Sequence, residues 1–347
     1  MRGAIRTTVA LVGCLAASMA PSRAQNQGDS LAQARRELLL MGSRFAFGAY
    51  ADSEAAAERA VAVGIAEVER IERIISSWDP ASETSAVNAA AGGAPVAVST
   101  ELIDLVARCA KVSALTDGAF DITAGGLGGL YRFAGQDTVL PGAAQLRTAA
   151  ALIDYRAVEI DRAAGTLRLA RPGMRMGFGA IGKGYAANRA RDAMAEVDGV
   201  RGGVVDASGD LATFGRGADS AWHIGIADPR HPDRWLGQLD VAGDAAVVTS
   251  GDYEKYFTAG GVRYAHIIDP RTALPTTGVR SATVACADAE VADALATAIF
   301  VLGHEVGLQL LDRLRGVEGL VVAADGSLHT SSGLALAPFK SLTDGQY

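Results

Sequence analysis

The 347-residue chain reads as an α+β protein with mixed or antiparallel sheets and packed helices. Three observations predict this class. Two long stretches, 54–75 and 99–115, carry apolar residues at helical spacing. Residues 203–285 form a series of short strand-like runs, from "GGVVDASG" through "WHIGIAD", "AAVVTSG" and "VRYAHIID" to "SATVAC". Hairpin patterns interleave with helical ones, in place of regular strand–helix–strand alternation.

The elements follow in order. The first 24 residues pair a basic "MRGAIR" with an apolar "TTVALVGCLAASMA" and end in small residues before Gln25. This is the pattern of a secretory signal, which implies an exported, periplasmic protein. "LVGC" (Leu11–Cys14) resembles a bacterial lipobox, whose acylated cysteine would tie the chain to a membrane. The short apolar run before Cys14 and the long one after it favour release after Ala24. Residues 25–38 are polar and read as a flexible leader, with one domain over 39–347. "LLLMGSRFAFGAY" reads as a strand. A helix follows from Glu54 to Ile75, with cap-type residues at Asp52–Ser53 and Val61, Ile65, Val68, Ile71 and Ile75 on one face. "SSWDPASETSAVNAAAGG" reads as a loop.

The second helix starts at Ser99–Thr100 and stops near Asp117–Gly118. "AVEID" and "TLRLA" form a hairpin, and a helix covers 185–197. Further helices cover 289–302, ending at Gly303, and 305–314. The tail turns back as a hairpin around Asp325–Gly326. Past the N-terminus no run of about 20 uninterrupted apolar residues occurs, so no further membrane span is expected. Net charge is −7 with the two signs interspersed, which argues against nucleic acid as a partner. Cys109 falls on an apolar helix face and Cys286 ends a strand, so two buried free thiols are expected although export would permit a disulfide.

"RMGFGAIGKGY" (175–185) fits two phosphate motifs at once. Gly177, Gly179 and Gly182 match G-x-G-x-x-G, while Gly177, Gly182 and Lys183 match G-x-x-x-x-G-K. A dinucleotide fold needs a buried parallel strand before the glycines, yet "LRLARPGMRM" carries arginines and Pro172. Asp206 would be its ribose-binding acid. A P-loop needs Ser or Thr after the lysine, and Gly184 stands there. Glycines and a lysine at a helix N-terminus still suit an anion.

Several segments together resemble the ApbE family of flavin transferases. "MGSRF", "SSWDPASETSAVN", "TDGAFDITAGGL", "GFGAIGKGYA", "TSGDY", "HIIDPRT" and "ADALATAIFVLG" are similar to its motifs and run in its order from 41 to about 303. The resemblance implies an ApbE-like fold and an Mg²⁺-dependent enzyme. Such enzymes cleave FAD, attach FMN through a phosphoester to a threonine of a redox-complex protein, and release AMP. It implies magnesium at Asp293, Thr297 and the carbonyl of Ala180. Spacing alone also allows Asp293 and Thr297, one helical turn apart, to be a buried acid bonded to a hydroxyl. The resemblance also implies FAD contacts at Met41, Trp78, Ala119, Phe120, Asp121, Gly177, Lys183, Ser250 and Ile268.

His266 is the candidate general base, with Asp269 and Arg271 shaping its loop. For Met41 and Ile268 core packing is the other reading, for Trp78 a core plug, for Asp121 a local cap, for Lys183 a solvated surface lysine, and for His266 a structural hydrogen bond. Two positions depart from the family pattern: Gly177 and Ala296 stand where relatives carry acids. Two other functions remain open, an FAD pyrophosphatase yielding FMN and AMP, and an FAD-binding protein without turnover.

Overall fold

The computed structural model describes residues 31–133, 140–217 and 221–339. The expected signal, Cys14 and the first part of the leader lie outside them. The core is one eight-stranded sheet. Its order is Ala32–Leu40, Ser43–Ala51, Val200–Ala207, Asp210–Gly215, Ala245–Gly251, Val279–Cys286, Glu318–Ala323 and Leu328–Thr330. Every neighbouring pair in it is antiparallel. The α+β expectation therefore holds, and a parallel dinucleotide sheet is ruled out.

Six α-helices complete the described fold: α1 (Glu54–Ile75), α2 (Glu83–Ala89), α3 (Thr100–Leu115), α4 (Ala143–Ala150), α5 (Gly182–Ala195) and α6 (Ala289–Leu311). Helices α1, α5 and α6 cover one face of the sheet, side by side in that order. The hairpin Trp222–Ala227/Trp235–Val241 packs on the other face against Tyr50, Val204, Leu211, Val247 and Leu320. Strand alternation explains the three layers. Val205, Val248 and Val321 face the helices, while their neighbours Val204, Val247 and Leu320 face the hairpin.

Several boundaries differ from the sequence reading, each for a local reason. The leader ends early, because residues 32–38 belong to the edge strand Ala32–Leu40. An edge strand needs only backbone pairing, so its polar "AQARRE" run hides it. The expected single strand over 38–50 is broken by a two-residue turn at Met41–Gly42, both with positive φ (50° and 70°). That is type I′ geometry, which Met–Gly does not advertise as Asn–Gly would. The loop after α1 contains α2, capped by Ser82 and too short to show a period. Helix α5 starts at Gly182, three residues early, since glycines in the first turn mask it. Residues 289–311 form one helix interrupted at Gly303 (φ 81°, ψ 172°). This helix is, among the described residues, long and apolar enough to cross a membrane, but more than half of it is buried in the core. Cys109 is buried and Cys286 only half-buried, both as free thiols.

The join between α5 and α6 explains Gly184. A Cβ there would stand 2.1 Å from the Ala289 carbonyl oxygen and 2.6 Å from the Asp293 Cβ. Gly184→Ala would gain roughly 1 kcal/mol of helix propensity if the helix were free. Here it must prise two helices apart, so a net loss of about 3 kcal/mol is expected from urea unfolding. Gly179→Ala, with nothing within 4 Å of its added methyl, should leave the midpoint unchanged.

Candidate functional site

A cavity of about 340 Å³ opens where the glycine stretch, α6 and the loops around 119–133 and 250–270 meet. Its floor is built by the α5–α6 join. Helix α5 has no side-chain cap of its own, Ile181 being its N-cap residue. The Asp293 carboxylate on α6 takes that part, its Oδ2 accepting from the Gly184 amide at 2.9 Å. A carboxylate at a helix N-terminus is favoured by the dipole. Thr297 lies one turn further along α6 and faces the same cavity, with its Oγ1 3.5 Å from the Ser250 Oγ. Ala180, in the glycine loop, lines the cavity beside them.

Lys183 does not extend into solvent. Its Nζ pairs with Asp210 Oδ2 at 2.7 Å, and its side chain is 22% exposed. Asp210 heads the strand Asp210–Gly215 and is 1% exposed; its other oxygen, Oδ1, has no hydrogen-bond partner among the described residues. Asp293 is 3% exposed. Burial opposes the charge on Lys183, but the carboxylates of Asp210, Asp293 and Glu254 outweigh it and hold the ammonium protonated. Burial pushes the Asp210 carboxyl well above the usual range, and the Asp293 charge adds to this. Burial likewise raises Asp293, against the pull of Lys183 and the Gly184 amide. Two buried acids thus share one lysine, leaving an excess of negative charge. A hard cation with oxygen donors from Asp293, Thr297 and Ala180 fits this surplus and the unpartnered Asp210 oxygen.

The glycine loop is held from outside. Asn88, buried on α2, donates from Nδ2 to the Met176 carbonyl at 2.9 Å and accepts from the Met176 amide at 2.8 Å. It stands in for a missing neighbouring strand. The Gly177 amide donates to the Ile122 carbonyl at 2.8 Å. A Cβ on Gly177 would meet the Gly125 Cα at 3.4 Å and the Ser77 Oγ at 3.8 Å, both ordinary contacts, so the loop does not demand glycine there. No strand of the eight-stranded sheet leads into this loop; Arg175 makes only an isolated bridge to Ala124. Asp206, the acid a dinucleotide fold would use, instead accepts from Arg44 at 2.6 Å and from the Gly209 amide at 2.8 Å.

His266 lines the same cavity and is half-buried. Its Nδ1 lies 3.2 Å from the Lys255 carbonyl. A carbonyl can only accept, so Nδ1 carries the proton and Nε2 keeps its lone pair. Burial lowers the His266 pKa below its usual value, with Lys255 and Lys183 adding to this and Glu254 opposing it. Arg271 grips both oxygens of Asp269 at 2.9 Å and fixes the loop after His266. Ile268 lines the cavity next to it.

Ala119 and Phe120 are buried and line the cavity. Asp121 lines it too, but both its oxygens are engaged. Oδ1 accepts from the Thr123 amide and hydroxyl, and Oδ2 from the Tyr155 amide. It ties the Gly-rich turn to the chain at 154–155, while burial raises its pKa. Trp78 is no core plug: it is 91% exposed at the cavity rim. Gly177, Lys183 and Ser250 line the cavity as well. Met41 is the residue the structure does not bring in. It occupies the hairpin turn, donates from its amide to Glu72, and packs its methyl over Gly182. The sequence reading did not single out Asp210, Asn88 or Glu254. An acid heading an apolar strand, as in "SGDLATF", is the signal that marks Asp210.

Comparison with known proteins agrees on one family. The ApbE family model matches residues 41–321. An FAD:protein FMN transferase of Klebsiella pneumoniae is 32% identical over 297 residues, spanning 85% of this chain and 90% of that relative. One from Treponema pallidum is 33% identical over 278 residues, 76% of each chain. Among solved structures, an ApbE protein of Thermotoga maritima aligns with a TM-score of 0.77 at 30% identity, covering 86% of this chain and 97% of its own. The apo flavinyl transferase ApbE of Pseudomonas stutzeri aligns at 0.75 and 28% identity, covering 86% and 95%.

The buried charges make a sharp test. Lys183→Met leaves two buried carboxylates without their cation and should cost about 3–5 kcal/mol in urea unfolding. Replacing both partners (Lys183→Met with Asp210→Leu) should recover much of that loss, because the orphaned Asp210 charge goes too.

Proposed function

The chain belongs to the ApbE family, and from that premise we propose that it is an FAD:protein FMN transferase acting on a threonine of an acceptor protein. The observation that carries the reading is one cavity lined both by a histidine whose Nε2 keeps its lone pair and by the oxygen donors Asp293, Thr297 and Ala180. In the reaction, the threonine oxygen forms a bond to the FMN-side phosphorus of FAD. The pyrophosphate P–O bond to the AMP side breaks, and AMP leaves with that electron pair. The hydroxyl proton passes to His266 Nε2 and then to solvent.

Asp293, Thr297 and the Ala180 carbonyl would hold Mg²⁺, which supplies charge neutralisation on the pyrophosphate. Lys183, fixed by Asp210, presents a second positive charge to the same region. The Nδ1–Lys255 bond holds the imidazole in the tautomer a base requires. Trp78 at the rim offers a flat aromatic surface to a ring of FAD. The signal pattern over residues 1–24 supports export to the periplasm, where the acceptor would be a protein of a redox complex at or near the membrane.

Incubation with FAD, Mg²⁺ and a threonine-bearing acceptor peptide, followed by mass spectrometry, tests the reading. An adduct of one FMN on the peptide is expected. FMN and AMP without adduct would make the protein a pyrophosphatase, and retained intact FAD would make it a carrier. His266→Ala should lower transfer by about 10²–10⁴. Asp293→Ala should abolish the dependence on Mg²⁺ together with the activity. A base acts when deprotonated, and burial holds His266 below its ordinary 6.5. The rate should therefore climb through an acidic limb below that value and be flat near pH 7.

A further inference from the structure

His266 has a second neighbour that the proposed chemistry has not used. Glu254 lines the same cavity, and its Oε2 lies 3.8 Å from His266 Nε2. That distance is too long for a hydrogen bond and short enough for an ion pair. Glu254 makes no hydrogen bond among the described residues, and its charge acts on Lys183 as well as on His266. The usual arrangement, a carboxylate on the far nitrogen, is absent, since Nδ1 is given to the Lys255 carbonyl at 3.2 Å. The carboxylate sits instead at the reacting edge of the ring. It does not occupy the Nε2 lone pair, and an acceptor hydroxyl can still reach it.

We propose that Glu254 is a positioning residue for His266: its carboxylate holds the imidazolium that forms when the acceptor hydroxyl gives its proton to Nε2. This rests on the transfer reading above. Before the step the ring is neutral, and the glutamate costs the base nothing. During the step a positive charge develops on a half-buried ring that already faces the cations of Lys255 and Lys183. Lys255 and Lys183 disfavour the imidazolium, while Glu254 favours it more than any other single group, ahead of the Lys255 carbonyl at Nδ1. Phe133, edge-on to the imidazole at 6.4 Å, carries no charge to offset it. The carboxylate thus balances the cations that the pyrophosphate requires nearby.

Glu254→Gln removes the charge and keeps the shape. Nuclear magnetic resonance titration of the His266 ring in the full chain should show its pKa falling by about 0.5–1 unit, as expected for one charge at this separation. Transfer should show two linked changes. The acidic limb should move down by the same amount, and the plateau should drop by about three- to tenfold, with the KM for FAD unchanged. Glu254→Asp, which keeps the charge one methylene further away, should recover part of both. An unmoved His266 titration, or a plateau that falls while the limb stays in place, would overturn the assignment. Because the titration needs no turnover, its result stands even if the wild-type chain transfers no FMN, an outcome that would overturn the activity instead.

Discussion

Everything at the site depends on one hydrogen bond between helices: the Gly184 amide to the Asp293 carboxylate, 2.9 Å. It requires α5 and α6 to approach so closely that no side chain fits at 184. The approach sets the height of the glycine loop over α6, and with it the meeting of Ala180, Asp293 and Thr297. The same bond ends α5 with a negative charge from outside, which a helix lacking its own cap needs. Asp293 is therefore both a structural cap, through its Oδ2, and a candidate ligand.

Around that join the charges are unbalanced by design of position. Asp210 and Asp293 are both buried and only Lys183 answers them. Water would relieve such an excess at once, but here relief must come from a proton or a bound cation. Lys183 is held by Asp210, which fixes the direction of its charge at the expense of its freedom. A phosphate arriving at this end meets groups that are already in place, so little reorganisation accompanies its binding.

The sequence revealed most where periodicity was long. Helices α1 and α3 were legible from their apolar faces and serine caps, and the 158–169 hairpin from its alternation. The edge strand 32–40 and the short α2 were not, because neither buries enough apolar surface to leave a pattern. The candidate site shows the same division. Asp293 and Thr297 were readable as a pair because they share a helix, and His266 because its motif is compact. Asp210 was not, since its partner Lys183 lies 27 residues upstream and only the fold joins them. Asn88 ends a recognisable motif, yet its task of holding both backbone groups of Met176 across 88 residues is invisible in one dimension. Met41 shows the converse: a motif residue whose place is a turn beneath α5, away from the cavity lining.

Trp78 gives the cavity two unlike ends. At the floor, Lys183 is fixed by Asp210 and Asp293 by the Gly184 amide, each a partner in another element. At the rim, a bare indole stands in water with 91% of its surface uncovered. A ligand bound across both is therefore judged by different rules along its length. The rim rewards any flat ring that covers the indole and is indifferent to the ring's substituents. The floor carries buried negative charge, so whatever binds there must bring a cation or a proton that answers Asp210 and Asp293. What reaches the rim meets an open aromatic face, and what reaches the floor meets charge that is already fixed.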